Sequence, residues 1–187
     1  MDQIRREVPP PWSHRLQGVL ITEREIRFRV KQLAVELGTT ANLGNPVVIA
    51  LLNGSFMFLA DLIREMPFEI PVDFIGVSSY RDGKKPARLV FTKALDMDIK
   101  NKDVLIVDDI LDSGQTLQKV VQVIEGLSPS SIRTCVFLEK KRTRALTIHA
   151  DFAAFCIPDY FVVGYGMDFA GNYRNLPFVG ILNDEQV

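Results

Sequence analysis

The sequence predicts an α/β fold in which a mostly parallel, twisted sheet is flanked by helices. Three observations carry this expectation. Strand-like apolar runs alternate with amphipathic helix-like segments from residue 46 onward, the rhythm of a parallel sheet covered on both faces. Runs such as Val104-Leu105-Ile106-Val107 are continuously apolar, as strands buried on both sides are. Carboxylates and glycines gather directly after these runs, where open parallel sheets bind their ligands.

Taken in order, residues 1–18 form a charged, proline-rich arm in which Pro9-Pro10-Pro11 is too rigid for a helix. Thr22 and Glu25 make a capping box. The stripe Ile26, Val30, Leu33, Ala34, Leu37 then marks one helix face, with Gly38 as the expected stop. Strands are expected at 46–52, 72–79, 88–95, 103–109, 132–138, 151–157 and 160–166, and helices at 55–66 and about 115–127. The segment "SSYRDGKKPAR" between two of these strands is polar, basic and turn-rich. It reads either as a solvated hairpin or as a lid over 79–88 that closes on a reaction.

With 187 residues the chain is expected to form one domain with a sizeable core. A net charge of −1 gives no global field for nucleic acid or an anionic membrane, so neither is expected as a partner. The N-terminus lacks the apolar centre of a signal peptide, and no run approaches the roughly 20 apolar residues that span a bilayer. A cytoplasmic location is therefore expected. Cys135 and Cys156 lie in apolar stretches without metal-ligand spacing and read as reduced core residues.

The chemistry concentrates in "VLIVDDILDSGQTLQKV", residues 104–120. Asp108, Asp109 and Asp112 need a neutralising partner: a metal, a polyhydroxyl ligand or bulk water. The turn Ser113-Gly114-Gln115-Thr116 opens a helix whose N-terminal N–H groups and dipole favour an anion. Gly114 permits a tight turn around a phosphate, and the Ser113 and Thr116 hydroxyls can donate to it. Asp108 and Asp109 can accept from vicinal hydroxyls or help hold hydrated Mg²⁺. Phosphate, paired hydroxyls and a metal together describe a ribose phosphate. The chain lacks G-x-x-x-x-G-K-S/T, a G-x-G-x-x-G after a strand, and the ligand spacing of an EF-hand. A phosphoacceptor receiver domain carries paired aspartates on its first strand, and too little chain follows residue 103 for the rest of one.

"VLIVDDILDSGQT" closely resembles the 5-phosphoribosyl-1-diphosphate (PRPP) motif of type I phosphoribosyltransferases. "LNGSFMFLADL" and "IPDYFVVGYGMDFAGNYRNLPFVGIL" resemble the first loop and the C-terminal block of the hypoxanthine-guanine members. The similarity runs from about residue 17 to 182. It implies the type I phosphoribosyltransferase fold, with a small hood formed by N- and C-terminal segments. It also implies transfer from PRPP to hypoxanthine or guanine with Mg²⁺, giving IMP or GMP and pyrophosphate. Ser113, Gly114, Gln115 and Thr116 would then hold the 5′-phosphate, and Asp108 and Asp109 the ribose hydroxyls and metal. Asp112 would act as general acid/base at purine N7; from the residues alone it reads first as a simple helix N-cap. Lys140, in "FLEKKR", would donate to the purine O6, which an ammonium can do only toward an acceptor. Phe161 would stack on the base and the Val162 carbonyl would accept from the 2-amino group of guanine, although "YFVVGY" also reads as plain core strand. Asp168 would stand among the purine-binding residues and help hold a second Mg²⁺ bridging to pyrophosphate. Arg174 and the Leu52-Asn53-Gly54 turn would bind pyrophosphate, and in the family that turn can carry a non-proline cis peptide. Ser79 and Tyr80 would lead the lid.

Three positions depart from the resemblance. Residue 53 is Asn where Lys or Arg is common, 108 is Asp where close relatives carry Glu, and 115 is Gln where Lys is frequent. The first removes a positive charge near pyrophosphate. It gives some support to an alternative, a regulatory protein that senses PRPP or nucleotide with the same fold. A xanthine-preferring enzyme is the other alternative. Family members are commonly dimers or tetramers, so a homodimer or homotetramer is expected.

Overall fold

The computed structural model describes residues 7–40, 46–67, 69–80, 88–141 and 148–183. Its strands lie in two sheets. The larger comprises β2 (Pro46–Leu52), β3 (Val72–Tyr80), β4 (Arg88–Lys93), β5 (Asp103–Leu111), β6 (Ser131–Lys140) and β7 (Phe152–Ile157). Their order is β4-β3-β2-β5-β6-β7, all parallel except the β3–β4 hairpin. The smaller sheet joins β1 (Leu16–Ile21), β9 (Val179–Leu182) and β8 (Val162–Val163) in antiparallel pairs. It unites the two ends of the chain as a hood.

The pleat of the central strands explains the layers. On β2, Val48 and Ala50 face one apolar cluster while Val47, Ile49 and Leu51 face the other; Leu105/Val107 and Val104/Ile106 divide β5 in the same way. Helices α1 (Glu23–Thr40) and α2 (Phe56–Glu65) cover the first face with Ile26, Leu33, Phe58 and Leu62. Helix α3 (Gln115–Glu125) covers the second with Leu117, Val120 and Ile124. A third cluster of Leu16, Val19, Val163, Tyr173, Leu176, Phe178 and Leu182 fills the hood, with Trp12 packed on it. The chain leaves β2 toward β3 on one side and returns to β5 on the other. The carboxyl ends of β2 and β5 therefore flank a topological switch point, which is where such sheets hold ligands.

Several sequence expectations are corrected. Helix α1 continues through Gly38 to Thr40, because Leu33 and Leu37 are buried and Thr39 Oγ1 donates to Val35 O at 2.9 Å. That outweighs the roughly 1 kcal/mol cost of a helical glycine. The prolines do not exclude a helix: Pro10–Trp12 is a short 3-10 turn with proline in its first positions, where no N–H is needed. The N-terminal arm ends earlier than 18, since Leu16 already pairs with Leu182. The strand expected at 160–166 shrinks to Val162–Val163, because Gly164 (φ 101°), Tyr165 (φ 49°) and Gly166 (φ 98°) turn the chain. Cys135 is buried as expected, but Cys156 is exposed. The capping box is present: Thr22 N–H and Oγ1 donate to Glu25 at 2.9 and 2.7 Å.

Candidate active site

At the end of β2 the Leu52–Asn53 peptide is cis, and the chain turns through Asn53 and Gly54 into α2. Gly54 lets the two strand ends approach closely here. A Cβ at this position would lie 1.7 Å from Asp109 Oδ2, so the bare backbone of one strand end meets the carboxylate of the next. Gly166 closes the other side, since its own Cβ would sit 2.2 Å from Gly54 O.

Strand β5 runs to Leu111, so Asp108 and Asp109 lie within its last turn of pleat and not beyond it. Asp109 N–H donates to Asp108 Oδ1 at 2.9 Å, and Ile110 N–H to Asp109 Oδ1 at 2.9 Å. Burial pushes both carboxyls above their ordinary range; the neighbouring Asp109 charge raises Asp108 further, while Asp108 and Arg174 partly offset the shift on Asp109. This carboxylate pair is under-neutralised by the protein itself. Hydroxyl donors or a cation would relieve it.

The turn 112–114 leads into α3. Its N-cap is Gly114 at φ 84°, not Asp112, so the simple capping explanation for that carboxylate fails. At that φ any L side chain is strained, and a Cβ at Gly114 would also come within 2.3 Å of Ile148 Cγ2. Asp112 meets Lys140, whose Nζ lies 3.2 Å from its Oδ2. Lys140 is the last residue of β6 and is nearly buried, whereas Lys141 is exposed. Of "FLEKKR", Lys140 faces the site and Lys141 does not; residue 142 lies outside the described residues.

A cleft of about 640 Å³ brings together Leu52, Asn53, Gly54, Asp108, Asp109, Asp112, Thr116, Asp168 and Arg174. A second pocket of about 240 Å³ is lined by Lys140, Phe161, Val162 and Met167 and shares Asp109, Ile110, Asp112 and Asp168 with the first. Phe161 is 41% exposed and meets the Phe169 ring edge-on at 5.6 Å, so it presents a free flat surface and is not core. Val162 is buried in β8. Arg174 is fixed by Asp168 Oδ1 at 2.7 Å and by donating to Gly166 O at 2.6 Å. Ser113, Gly114 and Gln115 form the turn beside the cleft but do not line it; only Thr116 of that group does. Ser79 and Tyr80 end β3, opposite Leu89 and Arg88 of β4. Most of the expected lid, 81–87, lies outside the described residues. Sequence reasoning missed Ile110 and Met167 as pocket walls and Gly76, Val77, Thr92 and Lys93 on the β3–β4 side of the cleft. None of these belongs to a residue type or spacing that announces a ligand.

Fold and cleft together define a class: α/β proteins with a ligand crevice at the switch point of a mostly parallel sheet, roofed by a small hood of chain ends. The phosphoribosyl transferase domain matches residues 20–170, and the chain belongs to that family. It is 45% identical over 172 residues to the hypoxanthine phosphoribosyltransferase of Escherichia coli (89% of this chain, 97% of the relative). It is 44% identical over 168 residues to the hypoxanthine-guanine phosphoribosyltransferase of Aquifex aeolicus (89% and 94%). The solved hypoxanthine phosphoribosyltransferase of Staphylococcus aureus superposes with a TM-score of 0.87 at 37% identity, over 96% of this chain and 98% of that one. The type I phosphoribosyltransferase fold expected from the sequence is the fold present. Among the described residues no helix is long and apolar enough to cross a membrane.

Proposed function

We propose that the protein is a purine-salvage enzyme. It transfers the 5-phosphoribosyl group of PRPP to N9 of hypoxanthine or guanine, giving IMP or GMP and pyrophosphate. The observation that carries this reading is the pairing of two cavities across Asp112. One is lined by the strand-end carboxylates, by Thr116 at the end of the phosphate-type turn and by an arginine; the other holds a flat ring and a lysine.

In this reading the Asp112–Thr116 turn receives the 5′-phosphate and Asp108 and Asp109 receive the ribose hydroxyls. The backbone of Leu52-Asn53-Gly54 and the Arg174 guanidinium take pyrophosphate, for which a planar fork of donors is suited. Phe161 stacks on the purine, the Val162 carbonyl accepts from the guanine 2-amino group, and Lys140 donates to O6. An adenine 6-amino group offers Lys140 no acceptor. The purine N9 lone pair forms the bond to ribose C1′, and the C1′–O bond breaks with its electrons leaving on pyrophosphate. Asp112 takes the N7 proton.

Mg²⁺ fits this donor set. The raised carboxyls of Asp108 and Asp109 call for positive charge, and Asp168 faces the same cleft. Among the described residues no cluster of three or more ligating side chains forms a closed cage. Mg²⁺ needs none, because it keeps several waters and binds through one or two carboxylates and substrate phosphates. When bound it supplies neutralisation of the phosphate charge. We further assign the whole chain to one domain acting in the cytoplasm as a homodimer or homotetramer.

The test is nucleotide formation by the purified protein with PRPP and Mg²⁺, with hypoxanthine, guanine, xanthine and adenine supplied separately. IMP and GMP are the expected products. Product from xanthine or adenine alone would contradict the base assignment, and binding of PRPP with no product from any base would favour a sensor.

A further inference from the structure

Lys140 has a second acidic neighbour besides Asp112. Its Nζ also lies 3.1 Å from Asp159 Oδ1. The lysine side chain is only 9% exposed, whereas those of Asp112 and Asp159 are 42% and 48% exposed. One nearly buried ammonium therefore sits between two half-exposed carboxylates. Asp112 lines both cavities, and Asp159 is not among the residues that line either.

The β6–β7 register places Asp159. Lys140 stands opposite Ile157, and Lys141 N–H extends the pairing by donating to Ile157 O at 2.7 Å. Asp159 follows two residues after that partner, in a turn closed by Tyr160 N–H to Pro158 O at 2.8 Å. Phe161 follows two residues later still. The carboxylate that grips Lys140 from outside and the ring that walls the pocket thus share one short segment.

We propose that Asp159 is a positioning residue for base recognition: it holds the Lys140 ammonium from outside the pocket while Asp112 exchanges that ammonium for the purine. The inference rests on the roles proposed above for Asp112 and Lys140. An ammonium has three N–H donors and no acceptor. When Asp112 turns to the N7 proton of the base, its pairing with Lys140 weakens, and a nearly buried charge stripped of its counter-charge is costly. Asp159 keeps a counter-charge in place throughout the exchange. It also fixes the head of a flexible side chain where O6 must find it. Without Asp159, Lys140 closes on Asp112, and an incoming base must break that pair.

The experiment compares Asp159→Asn and Asp159→Glu with the unsubstituted protein. KM for hypoxanthine and guanine is measured at saturating PRPP, KM for PRPP at saturating base, and thermal unfolding for each variant. Asp159→Asn is expected to raise both base KM values about two- to fivefold, the scale of one partly exposed ion pair. KM for PRPP, kcat and the unfolding midpoint should stay near the unsubstituted values, and Asp159→Glu should restore base binding. A base KM indifferent to Asp159→Asn would overturn the inference. So would a parallel shift of all kinetic constants or loss of the unfolding transition, either of which would make Asp159 a structural residue. If the unsubstituted protein formed neither IMP nor GMP, the proposed activity itself would fail, an outcome distinct from those.

Discussion

The carboxylate of Asp109 occupies the space in which Gly54 would carry a side chain: a Cβ there would lie 1.7 Å from Oδ2. The ends of β2 and β5 thus pack closely, the turn proposed for pyrophosphate against a carboxylate proposed for ribose. Replacing Gly54 by Ala must displace Asp109. Steady-state kinetics of the variant should show kcat/KM for PRPP lower by about 100-fold, the cost of roughly 1 Å of misplacement at a reacting centre. Global stability should change far less, since the clash lies at the mouth of the sheet.

Lys140 carries the base assignment. Lys140→Met removes the proposed donor to O6 and leaves Asp112 and Asp159 facing each other without their shared ammonium. The kcat/KM for hypoxanthine and for guanine should fall by about 10- to 100-fold, as for a lost hydrogen bond from a charged donor. Adenine should not become a substrate. A variant that retained hypoxanthine turnover would remove Lys140 from the site.

Asp73 makes stability depend on acid. Burial by itself would raise its carboxyl, but the N–H groups of Met97, Phe74 and Asp96 and the Lys93 ammonium outweigh that and hold it below the ordinary value of 3.8. The contacts are short, from 2.7 Å for Phe74 and Asp96 to 3.2 Å for Lys93. A carboxyl lowered on folding stabilises the fold above its unfolded pKa and ceases to do so as pH falls through the folded pKa. Asp73→Ala should therefore cost about 2 kcal/mol near pH 7, and the gap to the unsubstituted protein should close as pH drops below about 4. Denaturant unfolding across pH 2 to 8 checks both the size and the sign.

The two cysteines should differ in reactivity. Burial pushes the Cys135 thiol far above its ordinary range, whereas Cys156 is exposed. A thiol reagent should titrate one cysteine in the native protein and the second only after unfolding. Rapid native labelling of both would contradict the placement of Cys135 at the centre of β6.

The sequence reveals the carboxylates and the phosphate-type turn because they are consecutive. A buried strand running into Asp108, Asp109 and Asp112, then into Gly114, compresses much of the site into a dozen residues. Lys140, Phe161 and Arg174 are far from that segment and became legible only through the resemblance of the surrounding blocks. Asp159 was not legible, because its contact with Lys140 arises from the parallel register of β6 and β7 and has no sequence period. The fit of Gly166 against Gly54 O is likewise a meeting of two loops. The errors have physical causes as well. Gly38 looked like a stop, but burial of Leu33 and Leu37 carried the helix past it. "YFVVGYG" looked like a sheet strand, but its apolar residues are divided, Val163 in the hood and Val162 and Tyr165 in the core beneath α1 and α2, and its glycines turn the chain through positive φ.

Asp112 lines both cavities, and the proposed mechanism gives it the proton transfer during phosphoribosyl transfer. The most direct test is IMP formation from PRPP and hypoxanthine by Asp112→Asn, with PRPP binding measured in parallel by calorimetry. The account predicts a fall in kcat of about 10²- to 10⁴-fold, the usual contribution of a general acid/base, with PRPP affinity essentially retained. A variant that made IMP at the unsubstituted rate would contradict it.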